Sequence, residues 1–206
     1  MTQQITGKPT RREELLAIAA ELFAQRGFKN TTVRDIADAA GILSGSLYHH
    51  FDSKESMVDE ILSSFQRQLF ETYEEIIGSD LDARGKVEAV VRASFEAIDR
   101  HHAEVAIFQN DSAALMEYER FEYLRAHNRR FREMWLDLLA EGVASGGLRP
   151  DLDAELVYRF IRDTVWVAVR WYRPGGELSA SQVADQYLAI LLDGIAARRR
   201  PVRARR

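Results

Sequence analysis

The run Leu43–Phe51, LSGSLYHHF, offers hydroxyl and imidazole groups and contains no carboxylate. Serine, tyrosine and histidine side chains of this kind hydrogen-bond to base edges and to phosphate oxygens. The small residues Ser44, Gly45 and Ser46 let a helix backbone come close to a groove. The chemistry that these types and this spacing suggest is recognition of a nucleic acid.

Two short helices and a tight turn are needed to present that run. Thr32, followed three residues later by Asp35, is typical of a capping box at the start of a helix. Gly41 supplies a permissive turn, and a third helix is predicted over Ser44–Phe51. Together these elements make a helix-turn-helix, whose second helix enters the major groove.

The outward positions of this unit are the predicted DNA contacts. Thr32 and Arg34 would hold the flanking phosphate backbone, and Lys54 would meet a phosphate at the start of the next helix. The alternative is an ordinary helical hairpin with two surface histidines. Neighbouring histidines point about 100° apart on a helix, so we predict no metal site. The full set is Thr32, Arg34, Leu43, Ser44, Gly45, Ser46, Tyr48, His49, His50 and Lys54.

Charge is distributed unevenly along the 206 residues, whose net formal charge is -4. Residues 1–54 hold seven basic and six acidic side chains, residues 55–197 hold 15 and 26, and residues 198–206 hold six arginines. Phosphates would be repelled by the acidic body, so DNA contact must come from the first 54 residues, with or without the tail. The chain has no cysteine, no secretory signal and no apolar run long enough for a membrane, and we expect it in the cytoplasm.

Helical periodicity covers nearly every long segment, and we predict an all-α protein. The predicted organisation is a disordered arm at 1–9, a three-helix DNA-binding domain at 10–54, a larger ligand-binding and dimerisation domain at 55–197 and a basic tail at 198–206. Helices are predicted over Arg11–Arg26, from Asp52 or Ser53 to Ile77, over Ala83–Asp99, His102–Glu117, Glu119–Ser145, from Asp153 to Trp171, and from Ser179 onward.

The first quarter of the chain resembles the TetR family of transcriptional regulators. The matching motifs are Ala24-Gln-Arg-Gly27-Phe28, Thr31-Thr32-Val33-Arg34-Asp35-Ile36-Ala37, Ala40-Gly41 and Ser46-Leu47-Tyr48-His49-His50-Phe51 with Lys54. The resemblance implies a three-helix DNA-binding domain, a helical ligand-binding domain, and a homodimer built from the last two helices. It also implies repression that a small molecule relieves.

One face of the helix predicted from Asp153 to Trp171 carries arginines around a tryptophan: Arg159, Arg162, Trp166, Arg170 and, if the helix continues, Arg173. The opposite side holds Leu156, Val157, Phe160, Ile161, Thr164, Ala168 and Trp171. The stripe has two interpretations. It is a solvated face with Arg159 paired to Asp163 and Arg162 stacked on Trp166, or an anion site beside a ring-binding surface.

Further aromatic side chains support the second interpretation, because they would line a pocket for a bulky ligand with an anionic end. Their alternative is plain core. The predicted ligand-binding residues are Arg162, Trp166, Arg170, Phe108, Trp135 and Phe131.

Stretches in both predicted domains are similar to the KstR-type repressors of cholesterol breakdown in actinobacteria. They are Thr32–Phe51, Met57–Glu60, Ala93–Ile98, Arg149–Asp153, Leu156–Thr164 and Val169–Gly176. The resemblance implies an inducer that is a coenzyme A thioester of a bicyclic steroid remnant, and no resident cofactor. It also assigns Arg162 and Trp166 to inducer binding.

A dimer is expected on physical grounds too, because a palindromic site needs two readers about 34–36 Å apart. The last helix has an apolar stripe for this purpose, and packing within one chain is its alternative use. The predicted dimer residues are Val183, Tyr187, Ile190, Leu191 and Gly194.

Two other classes of protein fit less well. An enzyme would have to use His101, His102 or His127 beside Asp99 or Glu104, and no nucleophile elbow, phosphate loop or metal triad accompanies them. A sensor of hydrophobic cations would need buried carboxylates beside aromatic rings, whereas this body presents arginines. We therefore predict a DNA-binding repressor without catalytic residues. The alternative is a regulator of the same family that senses a different hydrophobic or acyl-coenzyme A ligand, as in fatty acid or multidrug sensing.

Overall fold

The computed structural model describes residues 9–193, and this part of the chain holds nine α-helices and no strand. The helices are α1 Arg11–Arg26, α2 Val33–Ala39, α3 Ser44–Leu47, α4 Lys54–Ile77, α5 Ala83–Arg100, α6 His102–Leu115, α7 Tyr123–Ala144, α8 Ala154–Val165 and α9 Ala180–Leu188. Short 3-10 helices cover Glu119–Phe121 and Trp166–Arg170, and a π-helical turn covers Ala189–Asp193. The all-α fold predicted from the sequence is confirmed.

Side-chain caps fix most of the helix starts. Thr32 and Asp35 form the expected capping box, and Ser179 with Gln182 forms another before α9. Ser53 caps α4, and Asp153 accepts the backbone N–H of Leu156 at the start of α8. These polar positions therefore define where the chain enters its helices.

Three helices differ from the expected bounds because the backbone changes from α to 3-10 hydrogen bonding. The third helix stops at Leu47 rather than Phe51, since the amides of His49 and His50 donate to oxygens only three residues back. The segment expected to be one helix from Glu119 is a 3-10 turn followed by α7. Helix α8 ends at Val165, and Trp166–Arg170 continues as a 3-10 helix.

The buried apolar side chains form two clusters. We call residues 10–54 the N-terminal unit and residues 55–193 the body. One cluster lies within the body, between α4, α5, α7, α8 and α9. The other joins Leu15, Phe23 and Phe28 of the N-terminal unit to Leu62 of α4 and Ile107 of α6. The two units are therefore packed against each other rather than linked by an open hinge.

Some predictions fall on residues outside 9–193. They concern the disordered arm, apart from its last residue Pro9, the arginine tail at 198–206, and the dimer role of Gly194. The predicted division at residue 54 falls at the start of α4, which begins at Lys54 and runs on into the body.

Candidate functional site

The turn between α2 and α3 has the geometry that a helix-turn-helix requires. Gly41 has a φ of +66°, in the left-handed region that favours glycine. The amide of Ile42 donates to the carbonyl oxygen of Ala37 at 3.0 Å, and Leu47 is buried against the core of the N-terminal unit. The angle between α2 and α3 is therefore fixed by both backbone and packing.

The outward face of α3 is open to solvent. Leu43 is 81 % exposed and Tyr48 is 56 % exposed, and Gly45, Ser46, His49 and His50 are exposed as well. A Cβ atom added at Gly45 would meet nothing within 4 Å. The lack of a side chain at this position therefore serves no packing need of this chain and leaves room for an approaching duplex.

Two predicted phosphate contacts are already engaged inside the protein. The Lys54 ammonium donates to the carbonyl oxygens of Phe28 at 2.8 Å and Thr31 at 3.0 Å, and it lies 4.3 Å from the centre of the Phe28 ring. This differs from the free cation expected at the start of α4, because the loop before α2 folds over the ammonium. The Thr32 hydroxyl donates to Asp35 at 2.5 Å, and that contact lowers the pKa of the Asp35 carboxyl.

Arg34 remains available for a phosphate. Its side chain is 85 % exposed and reaches Asp38 only at 3.7 Å, a surface pair that contributes little to stability. Of the cations predicted to contact the DNA backbone, it is the one whose guanidinium extends into solvent.

A cavity that opens to solvent lies in the body between α4, α5, α6, α7 and α8, and its space together with the open solvent at its mouth is about 680 Å³. Five of the six predicted ligand-binding side chains line it, namely Phe108, Phe131, Trp135, Arg162 and Trp166. Arg170 does not line it and is exposed on the 3-10 helix. The cavity thus brings rings from three helices to one arginine.

Neither side-chain contact predicted for the arginine stripe, Arg159 with Asp163 or Arg162 with Trp166, is the one that the structure shows. The Arg162 Nε lies 2.6 Å from Asp163, and its guanidinium carbon lies 5.6 Å from the centre of the Tyr158 ring. Arg159 pairs with Glu155 at 3.1 Å rather than with Asp163. The Arg162 side chain is 48 % exposed, so its charge lies at the mouth of the cavity.

The polar side chains of the cavity wall were not predicted from the sequence. Gln66 is buried on α4, and its side-chain oxygen accepts a hydrogen bond from the His127 ring at 2.5 Å. Burial lowers the pKa of His127, which favours the neutral ring. Ser94, also in the wall, bonds to the buried Tyr73 hydroxyl and to the carbonyl oxygen of Val90. A glutamine within the apolar stripe of α4 was the signal available in the sequence.

An exposed apolar surface lies outside the cavity on α8 and beyond it. Phe160 is 66 % exposed, and Leu156, Trp171, Leu178 and Ile190 are each at least half exposed. The sequence predicted that Phe160 and Ile161 share one face of a helix from Asp153 to Trp171. That prediction is wrong here, because Ile161 lines the cavity whereas Phe160 is exposed. We call these five side chains the apolar patch.

The predicted dimer residues divide between core and surface. Val183 is buried within this chain, and the ring of Tyr187 packs against Phe95 while its hydroxyl meets Thr164 at 2.9 Å. Leu191 is half-buried and Ile190 is exposed. Val183 packs toward α5 and also lines an open depression beside Ile190, so its dimer role stays a prediction.

Each of the histidines considered for catalysis has a structural partner. His102 bonds to the carbonyl oxygen of Val169 at 3.1 Å, His101 lies 3.7 Å from Glu104, and His127 bonds to Gln66. Among residues 9–193 no three histidine, aspartate or glutamate side chains are grouped as metal ligands. No helix of this described part combines the length and apolarity that a bilayer crossing needs.

Two protein-family models match this chain, one in its N-terminal part and one in its C-terminal part. Residues 15–61 match the profile described as bacterial regulatory proteins of the tetR family, and residues 80–195 match the tetracyclin repressor-like C-terminal domain. The transcriptional repressor KstR2 of Rhodococcus jostii is 61 % identical over 191 residues, which cover 93 % of this chain and 94 % of that protein. KstR2 of Mycobacterium tuberculosis is 56 % identical over 186 residues, or 90 % of this chain and 93 % of the relative.

Solved structures agree with these matches. The structure of the ketosteroid transcriptional regulator KstR2 of Mycobacterium tuberculosis superposes with a TM-score of 0.88 at 55 % identity, over 93 % of this chain and 97 % of that one. AibR, in complex with isovaleryl coenzyme A and operator DNA, superposes with a TM-score of 0.78 over 89 % of this chain and 98 % of its own. At 23 % identity AibR shares the fold alone.

Proposed function

We propose a function from the premise that this chain belongs to the TetR family of transcriptional regulators and is a repressor rather than an enzyme. The chain acts as a homodimer on a palindromic operator in the cytoplasm. An acyl-coenzyme A thioester of a steroid catabolite releases it from that DNA. The single observation that carries the ligand assignment is the cavity that joins Trp166 and other rings to Arg162 at its mouth.

The cavity suits an amphiphile whose apolar end is a ring system. Its wall carries the rings of Phe108, Phe131 and Trp135, which suit a bicyclic group, and Arg162 is the one charged side chain among its lining residues. The thioester would therefore extend through the mouth. There the half-exposed Arg162 guanidinium meets phosphate oxygens and exchanges its contact with Asp163 for them.

The fold and the relatives support this ligand class from two sides. AibR carries an acyl-coenzyme A and operator DNA on the same fold, and KstR2 is described as a ketosteroid regulator. This chain has five of its six predicted ligand contacts on the cavity wall. The similarity to KstR2 supports the steroid end, and the charge at the mouth supports the coenzyme A end.

The homodimer is supported by the apolar patch. Phe160 and Leu156 of α8 and Ile190 after α9 are exposed large hydrophobic residues on the last elements of the body. A second copy of the chain would bury them across a twofold axis, as a palindromic site requires. The two α3 surfaces then face successive major grooves.

Release is a matter of linkage. A ligand shifts the equilibrium between two conformations only by the difference between its affinities for them. Helices α4 and α6 both line the cavity and both reach the N-terminal unit. A ligand that moves either helix therefore changes the spacing of the two α3 surfaces.

The test measures operator binding by fluorescence anisotropy, with a duplex selected from random DNA by the purified protein. The coenzyme A thioester of a bicyclic steroid fragment, its free acid, and a straight-chain acyl-coenzyme A of equal carbon number are added in turn. We expect release by the first alone. Release by the free acid would remove the phosphate role of Arg162, and equal release by the straight chain would remove the ring specificity.

Variants localise the ligand. Arg162→Met and Trp166→Leu should keep operator affinity and lose release. Arg159→Met is the matched control, since Arg159 lies on the same helix, pairs with Glu155 and does not line the cavity. Circular dichroism accompanies each variant, and loss of helical signal in Arg162→Met would assign that residue to packing instead.

A further inference from the structure

Helix α6 connects the cavity to the N-terminal unit through different faces. Val105 and Gln109 line the cavity, Ala103 and Ile107 belong to the apolar cluster that includes α1, and Phe108 contacts both. Since residues 103 and 107 lie one turn apart on a helix, they form a stripe that Asp111 continues. One helix thus contacts both the candidate ligand site and the candidate DNA reader.

The first turn of α6 is attached to the segment that carries Trp166. The His102 ring bonds to the carbonyl oxygen of Val169 at 3.1 Å, within the 3-10 helix that begins at Trp166. A ligand that displaces Trp166 therefore acts on a segment to which α6 is bonded.

The last turns of α6 are attached to the N-terminal unit by a carboxylate. The Asp111 Oδ2 accepts the backbone N–H of Phe28 at 3.1 Å, across 83 residues of sequence. Burial raises the pKa of Asp111, while the Phe28 amide and the cations Lys29 and Lys54 act in the opposite direction. Asp111 is thus a partly buried carboxylate that makes a specific hydrogen bond from α6 to a loop of the N-terminal unit. It is not a solvated surface group.

The loop that Asp111 contacts is held by several further contacts. The Phe28 ring is buried, packs edge-on against Tyr118, and lies under the Lys54 ammonium. Thr31, at the end of this loop, donates to the carbonyl oxygen of Gly27 at 2.9 Å. The next residue caps α2, so a shift of Phe28 is passed directly to the helix-turn-helix.

We propose that Asp111 is the positioning residue through which helix α6 sets the orientation of the N-terminal unit. The inference rests on the proposed function, because it describes how the proposed ligand would reach the DNA. It assigns to Asp111 neither ligand contact nor DNA contact. Its removal should therefore change the coupling between the two sites more than the affinity of either.

The first measurement needs no ligand. The chain has no cysteine, so Gln25→Cys on α1 and Asp137→Cys on α7, both exposed, accept spin labels at two defined places. The distance between the labels is measured in one chain diluted with unlabelled chain. We expect Asp111→Ala to broaden or shift this distance, and Asp111→Asn, which keeps an acceptor oxygen, to restore it.

Glu104→Ala is the matched control, since Glu104 is a carboxylate on the same helix whose partner His101 lies within the body. An unchanged distance in Asp111→Ala would overturn the inference, as would an equal change in Glu104→Ala. Neither result bears on the proposed function.

The second measurement is the ratio of operator dissociation constants with and without the coenzyme A thioester of a bicyclic steroid fragment. Couplings in proteins are typically about 5–150-fold, and we expect this ratio to fall at least about fivefold in Asp111→Ala while thioester affinity without DNA is kept. An unchanged ratio would overturn the inference. Failure of the thioester to release the unmodified protein would overturn the proposed function instead, and the label distances would then decide the role of Asp111 by themselves.

Discussion

Replacement of Lys54 by methionine separates two roles of that residue. In the structure its ammonium donates to two carbonyl oxygens and lies over the Phe28 ring. Hydrogen bonds to a charged group contribute about 1.5–3 kcal/mol each, and a cation over an aromatic ring adds about 0.5–1 kcal/mol. Because these contributions overlap and methionine keeps the apolar stem, we expect Lys54→Met to lose about 3 kcal/mol of unfolding free energy.

The assay for Lys54→Met is urea unfolding followed by circular dichroism at one fixed protein concentration, because association stabilises the folded state. Lys29→Met, an exposed cation in the same loop, serves as control and should change stability by less than about 0.5 kcal/mol. The salt dependence of operator binding is measured alongside. A phosphate contact by Lys54 would instead leave stability unchanged and reduce the slope of log K against log salt by about 0.9, and that outcome would refute the reasoning.

Two further predictions concern the body. Phe160→Asp places a charge in the apolar patch, so sedimentation should show a monomer with unchanged helical signal. Val143→Asp, at an exposed apolar site outside that patch, should leave the dimer intact. A dimer of Phe160→Asp would exclude the patch as the interface. Contacts with Arg132 and Arg159 lower the pKa of Glu155 in the folded chain, so its contribution to stability is present above the ordinary glutamate pKa of about 4.3 and is lost as the pH falls through the lower folded value. Glu155→Gln should therefore flatten the acid limb of stability against pH, and an unchanged limb in thermal melts would contradict this.

The sequence predicted well those features that depend on neighbouring residues. The capping boxes at Thr32 and Ser179 and the turn at Gly41 lie where expected, because each is closed by atoms within three or four residues. The same locality explains why nearly all helix starts were predictable.

The prediction was wrong where the backbone leaves α geometry without a glycine or proline to signal it. Trp166–Arg170 contains two valines among five residues and forms a 3-10 helix. The helical wheel to Trp171 assumed the rotation of 100° per residue of an α-helix, which does not apply to a 3-10 helix. Arg170 consequently turns away from the cavity, while Arg162 and Trp166 still reach it.

Long-range contacts were also beyond a sequence-based analysis. Lys54 donates to backbone carbonyl oxygens of a distant loop, and Asp111 accepts a hydrogen bond from a backbone amide of that loop. Backbone groups carry no residue signature, so pairs of this kind leave no pattern in the sequence. A charged side chain was therefore assigned to solvent or ligand when its partner was the chain itself.

The apolar cluster shared by α1, α4 and α6 has a consequence for engineering. Biosensors are often built by joining the DNA-reading part of one regulator to the ligand-sensing part of another. A junction at residue 54 would cut through this cluster and leave Leu15 and Phe23 facing a foreign surface in place of Leu62 and Ile107. A chimera that is meant to fold should carry the facing side chains of α4 and α6 along with the reader, so the exchangeable module is a packing unit and not a stretch of sequence.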